Sequence, residues 1–204
     1  MALAIPGLPS GMCKLNEKKE AEATIIDYLR STNGTSNDMV AAFADCDELN
    51  AITNRKAESV TRYGAVLAQT LGEKLPLDRK DYVESAARIF KSTGSNLLEN
   101  ALTGAREAAA TETQSGISDP KAITANSRGV LFQNADMVII GMKQSNNVGG
   151  KTTNVASTAA MTMIGGNPVS VNLYAPSTNA DANTFSQSVE TVKLFTSRLI
   201  AANE

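Results

Sequence analysis

Residues 124–166 read TANSRGVLFQNADMVIIGMKQSNNVGGKTTNVASTAAMTMIGG, and whether this run is helix or strand decides the fold. It is rich in Ala, Gly, Ser, Thr and Asn, almost empty of charge, and holds one continuous apolar island, Met137-Val138-Ile139-Ile140. Small residues let backbones approach closely, and amides and hydroxyls can satisfy one another across a contact. That composition suits a packed face inside a subunit or between subunits. Ile123, Val130, Leu131, Met137 and Ile140 fall roughly in helical phase, so 121–142 reads as helix, with 137–140 alternatively a short buried strand. A second helix is expected from Lys151 to Ile164, ending at Gly165-Gly166-Asn167-Pro168.

Outward from this stretch, helical period dominates. A first helix is expected over 14–31, with Leu15, Ile25, Ile26 and Leu29 as its apolar positions. Phe43, Cys46, Leu49, Ile52, Val60, Tyr63, Leu67 and Leu71 recur mostly at threes and fours, which predicts one long helix over 37–74. Asp78 opens another, whose stripe begins Tyr82, Val83, Ala86, Ala87, Phe90 and continues through Gly94 and Gly104 to Ala105. Val169, Val171 and Leu173 alternate with polar neighbours, the clearest strand pattern, and need a partner in 137–140 or in another chain. The last helix, 181–202, carries Phe185, Val189, Val192, Phe195 and Leu199. The expected fold is therefore mainly α: an antiparallel helical bundle over 14–204 with a small β element near 169–175, preceded by an extended apolar arm, 1–13. Pro6, Gly7, Pro9 and Gly11 bar a helix in that arm, which presents Leu3, Ile5 and Leu8.

Composition narrows function. The chain of 204 residues has no histidine, which removes the commonest general base, the Ser-His-Asp triad and every histidine metal site. A net charge of −2 with no basic run leaves no clear nucleic-acid footprint. No run has the length of a membrane span, and no Sec signal opens the chain, so cytoplasmic synthesis is expected, ending in an intracellular inclusion or a virion. Two cysteines, Cys13 and Cys46, do not make a disulfide framework, and Cys46 reads as a small buried hydrophobe. Asp45, Asp47 and Glu48 lack calcium-loop spacing and read as a solvated acidic patch. Gly149-Gly150-Lys151-Thr152 has the tail of a phosphate-binding loop, but Ser145 stands where the first glycine is needed. No catalytic, cofactor or metal site and no small-molecule substrate emerges.

Three segments carry a family resemblance. Gly129-Val130-Leu131-Phe132-Gln133, then Gln144-Ser145-Asn146-Asn147, then the run from Asn154 to Thr162 resemble the RebB-type R-body proteins over residues 127–165. Phe132 and Gly149-Gly150 depart from that family's pattern. The resemblance implies polymerisation into coiled ribbons inside bacteria.

The expectation is a non-enzymatic structural subunit that self-assembles into a filament, ribbon, tube or shell, a viral or phage coat protein included. Its expected interface is Leu3, Ile5, Leu8, Leu131, Phe132, Met137, Ile140, Val155, Met161, Val171 and Leu173. The alternatives are a helical adaptor for a protein partner and a nucleotide-binding protein using Gly150-Lys151-Thr152.

Overall fold

In the computed structural model, residues 3–33, 37–57, 59–69, 74–92, 123–148, 151–177 and 181–204 are described. Their centre is one antiparallel sheet. The elements are β1 (Met12–Lys14), α1 (Glu20–Asn33), β2 (Asn37–Asp45), α2 (Cys46–Thr53), β3 (Tyr63–Gln69) and α3 (79–92), followed by β4 (Ile123–Gln133), β5 (Val138–Val148), β6 (Lys151–Ile164), β7 (Asn167–Pro176) and α4 (Asp181–Ala201). The seven strands lie in the order β1-β2-β3-β7-β6-β5-β4. The last four form a meander, and β7 then pairs with β3.

Both faces are covered, and alternation along each strand shows it. Phe43, Val66, Ile139, Ala160 and Val171 point to one side, under Val192, Phe195 and Leu199 of α4. The N-terminal arm packs on the same side through Leu3, Ile5 and Leu8, and Asn203 exchanges two hydrogen bonds with the Ala4 backbone at 2.8 and 2.9 Å. On the other side Ala42, Ala44, Ala65 and Leu67 meet Ile26 and Leu29 of α1 and Leu49 of α2. Further along that side, Val138, Ile140 and Ala159 meet Val83, Ala86 and Ala87 of α3.

A mainly α bundle is thus overturned. Residues 37–74 are not one helix: β2, α2 and β3 occupy the range. The 3–4 spacing arose because these strands are buried on both faces and so carry no polar alternation. At the end of β2, Asp45 breaks the apolar run and caps α2 by accepting from the Asp47 and Glu48 amides at 3.0 and 3.3 Å. Within the helix expected over 121–142, residues 123–133 and 138–142 are strand, and 151–164 is strand throughout; the 137–140 island belongs to a strand from Val138, with Met137 buried just before it. Gly165-Gly166 ends no helix. Both residues have positive φ, 57° and 81°, and join Ile164 to Asn167 in a two-residue hairpin that other residues would strain. The strand at 169–175 pairs with β3 and β6.

Other expectations hold in part. α1 starts at Glu20, later than expected, but buries Ile26 and Leu29, and α3 buries Val83, Ala86 and Ala87. The continuation through Gly94 and Gly104 lies outside the described residues. α4 spans almost the expected range and buries Phe185, Val192, Phe195 and Leu199. Cys46 is no free hydrophobe. β1 beside the end of β2 brings Cys13 to it, and the two form a disulfide with Cα atoms 5.1 Å apart.

Candidate assembly surface

The expected interface residues divide by place. Met137, Ile140, Val171 and Leu173 are buried in the subunit's own core. Leu3, Ile5 and Leu8 pack on their own chain, which leaves no free arm. Leu131, Phe132, Val155 and Met161 are half-buried. Lys193 Nζ stands 4.9 Å from the Phe132 ring centre, and Leu131 lies where a side chain on Gly141 would be. The set therefore does not gather on one surface. Most of it builds the monomer.

Two other surfaces among the described residues are a strand edge made by backbone and the outward side of one helix. β4 is the sheet's outer strand beyond β5, and among the described residues nothing pairs with its outer side. Two register irregularities, at Ser127/Gly129 and Val130/Phe132, distort its second half, and Gly129 takes a positive φ of 73° there. Bulges of this kind twist an edge away from further pairing. The first half is regular: Ile123↔Asn146, Thr124↔Ser145, Ala125↔Gln144, Asn126↔Lys143 and Ser127↔Met142. β5 and β6 continue to Val148↔Lys151, past the last bond from β7's side, Ser177 N–H to the Asn154 carbonyl at 2.9 Å. The ribbon extends about 10 Å beyond that bond at roughly 3.3 Å per residue. At its base Ser145 Oγ donates to Asn154 Oδ1, a cross-strand hydroxyl–amide pair.

The second surface is the outward side of α4, with Gln187, Glu190, Leu194, Ser197 and Ala201 exposed. Beside it a groove of about 670 Å³ is walled by Pro9, Ser10 and Arg62. In the sequence the buried stripe of α4 dominates its pattern. An apolar Leu194 among polar residues on the opposite side was the available signal.

Several other polar groups hold the fold together. Glu48, half-buried, accepts from the Thr61 and Arg62 amides at 2.6 and 3.0 Å, which ties the start of β3 to α2. Arg79 donates to the Met163 carbonyl at 2.9 Å and to Glu204 at 2.6 Å, tying α3 and the C-terminus to β6. Tyr63 and Tyr174 stack at 5.0 Å with Tyr28 edge-on to Tyr63. Burial pushes both stacked phenols up, Tyr174 to about 12. Lys151 and Thr152 open β6 rather than a helix, so the helix N-terminus that a phosphate-binding loop needs is missing, while Gly149 and Gly150 lie outside the described residues. Among the described residues no three metal-ligating side chains converge, and no helix is long and apolar enough to cross a membrane. Comparison with known proteins finds no matching family model, no matching curated protein and no matching solved structure.

Proposed function

We propose that the chain is a structural subunit that assembles with copies of itself and performs no catalysis. The observation that carries this reading is the regular outer edge of β4 over residues 123–127. Natural sheets guard such edges with lysine, proline or a bulge, and Ile-Thr-Ala-Asn-Ser carries none of these. An unguarded edge accepts another strand through main-chain hydrogen bonds, and copies of the same chain supply one at the highest local concentration. The amide- and hydroxyl-rich sequence of the β5–β6 ribbon suits the side-chain pairing of such a contact. The Cys13–Cys46 disulfide favours a shell or tube that leaves the reducing cytosol over an inclusion retained inside it.

The test is negative-stain microscopy of the purified protein beside its light-scattering mass. Closed particles, tubes or filaments are expected, and Ala125→Lys, which guards the edge, should leave a folded protein that no longer forms them. A 21.4 kDa monomer at every concentration sinks the proposal.

A further inference from the structure

α4 turns Phe185, Val192, Phe195 and Leu199 into the core. Gln187, Glu190, Leu194, Ser197 and Ala201, at intervals of three and four, form a stripe on its opposite side. Leu194, at its middle, is 62% exposed, more than any other large hydrophobic side chain among the described residues. Glu190 is exposed and, among the described residues, pairs with Lys193, one turn on, at 3.2 Å. Arg198 has no ionic partner among the described residues.

We infer that this stripe binds the same stripe of a second copy, α4 against antiparallel α4, about a two-fold axis at Leu194. In that arrangement a position four residues before Leu194 faces the position four residues after it on the second copy. Glu190 then faces Arg198, Arg198 faces Glu190, and Leu194 covers Leu194. Thr191 faces Ser197, and Gln187 faces Ala201. The stripe is complementary to itself, as a two-fold contact requires. A parallel pairing would set Glu190 on Glu190 and Arg198 on Arg198. Charge complementarity therefore selects both the occupant, a second copy, and its direction. The groove walled by Pro9, Ser10 and Arg62 receives the flank of the incoming helix.

The contact is small. A helix face of about 30 Å by 10 Å covers roughly 300 Å², against about 800 Å² per partner in a stable interface. It is suited to act beside other contacts in an assembly, so it rests on the proposed function and names one of its interfaces.

Glu190→Arg and Arg198→Glu test it, because both side chains are exposed and circular dichroism verifies that the fold is kept. Each variant alone sets like charges across the axis and should weaken self-association, followed by sedimentation velocity, at least about tenfold. Mixed in equal amounts, the two variants again place acid against base at both pairs, and association should return towards the parent's. Single variants that associate like the parent, or a mixture no tighter than its components, overturn the inference. If the parent still forms particles by microscopy in that case, the assembly reading survives without this contact. Charge reversals that behave as expected in a protein that stops at dimers support the contact and overturn the polymer. A parent that stays monomeric overturns both.

Discussion

Removing the Cys13–Cys46 bridge gives the largest stability change that can be worked from this structure. The cysteines are 33 residues apart. Opening a loop of that size returns about 12 to 13 cal/mol/K to the unfolded chain, or about 4 kcal/mol at 25 °C. The native state changes little when the bond is lost. Met12 and Leu15 are buried on either side of Cys13, the Leu15 amide donates to the Ala42 carbonyl at 3.0 Å, and the Cys46 amide donates to the Gly11 carbonyl at 2.9 Å. β1 therefore stays seated without the bond, and the effect acts mainly through the unfolded state. For Cys13→Ser/Cys46→Ser, a slope of about 2–3 kcal/mol/M puts the urea midpoint about 1–2 M below the parent's. Equilibrium unfolding followed by far-UV circular dichroism measures it. A midpoint shift below about 0.3 M with an unchanged slope would refute the reasoning, since the loop would then be constrained in the unfolded chain by something else. A loss well above the loop term would mean that β1 does not hold its place alone.

The remaining predictions probe the core and the surface. Gly64→Ala should cost about 1–3 kcal/mol, because its Cβ would meet the Asn172 carbonyl at 2.3 Å and the Phe43 ring at 2.5 Å; thermal denaturation showing a stable Ala variant would mean β3 and β7 can part. Thr158 and Thr196 are fully buried with hydroxyls that have no hydrogen-bond partner among the described residues, so Thr158→Val and Thr196→Val should each be neutral or stabilise by up to about 1 kcal/mol. A clear drop in Tm for either would show that its hydroxyl is bonded after all. Tyr63, Tyr82 and Tyr174 have folded pKa values raised by burial above the ordinary 10.0, so their contribution is complete below that pH and is lost as pH rises through the folded values, for Tyr174 about 12. Phenolate absorbance at 295 nm should lag in the folded protein, and full ionisation near pH 10 with the fold intact would contradict this. Added salt should leave or strengthen the β4 edge contact while weakening the α4 contact, so moderate salt should leave oligomers joined through β4; dissociation all the way to monomer would argue against strand addition.

How much the sequence disclosed depends on where each element is exposed. α1, α3 and α4 each keep one face in water, so Ile26 and Leu29, Val83 and Ala87, and Val192 and Leu199 stand out at helical spacing. β7 was legible because Ser170, Asn172 and Tyr174 alternate with Val169, Val171 and Leu173. β2, β3 and β6 gave no such signal, because helices lie over both of their faces. In β6, Ala156, Ser157, Thr158, Ala159, Ala160 and Thr162 are all buried, so inside and outside cannot be told apart by polarity. Alanine favours helices in isolation, and in these strands tertiary burial overrides that preference. The small residues nevertheless have the physical role first ascribed to them. They let layers approach, and the layers are helix, sheet and helix within one subunit rather than helix on helix.

Burial also separates the parts of the candidate surface. Met137 and Leu173 looked like contact residues because they are apolar in an uncharged setting, but a central strand needs such residues for its own core. A contact between copies has to use what the monomer leaves over. Among the described residues the proposed contacts use an unpaired length of strand backbone and a helix stripe whose one leucine lies between an acid and a base. Main-chain edges carry no side-chain signature, so the first becomes visible only once the strand order puts β4 outermost. The second was open to reading: Leu194 stands off the buried stripe of α4, and Glu190 and Arg198 stand four residues to either side of it. An exposed leucine alone has many uses. Opposite charges at equal distances on its two sides define a self-complementary pattern, and that symmetry makes a second copy the natural partner.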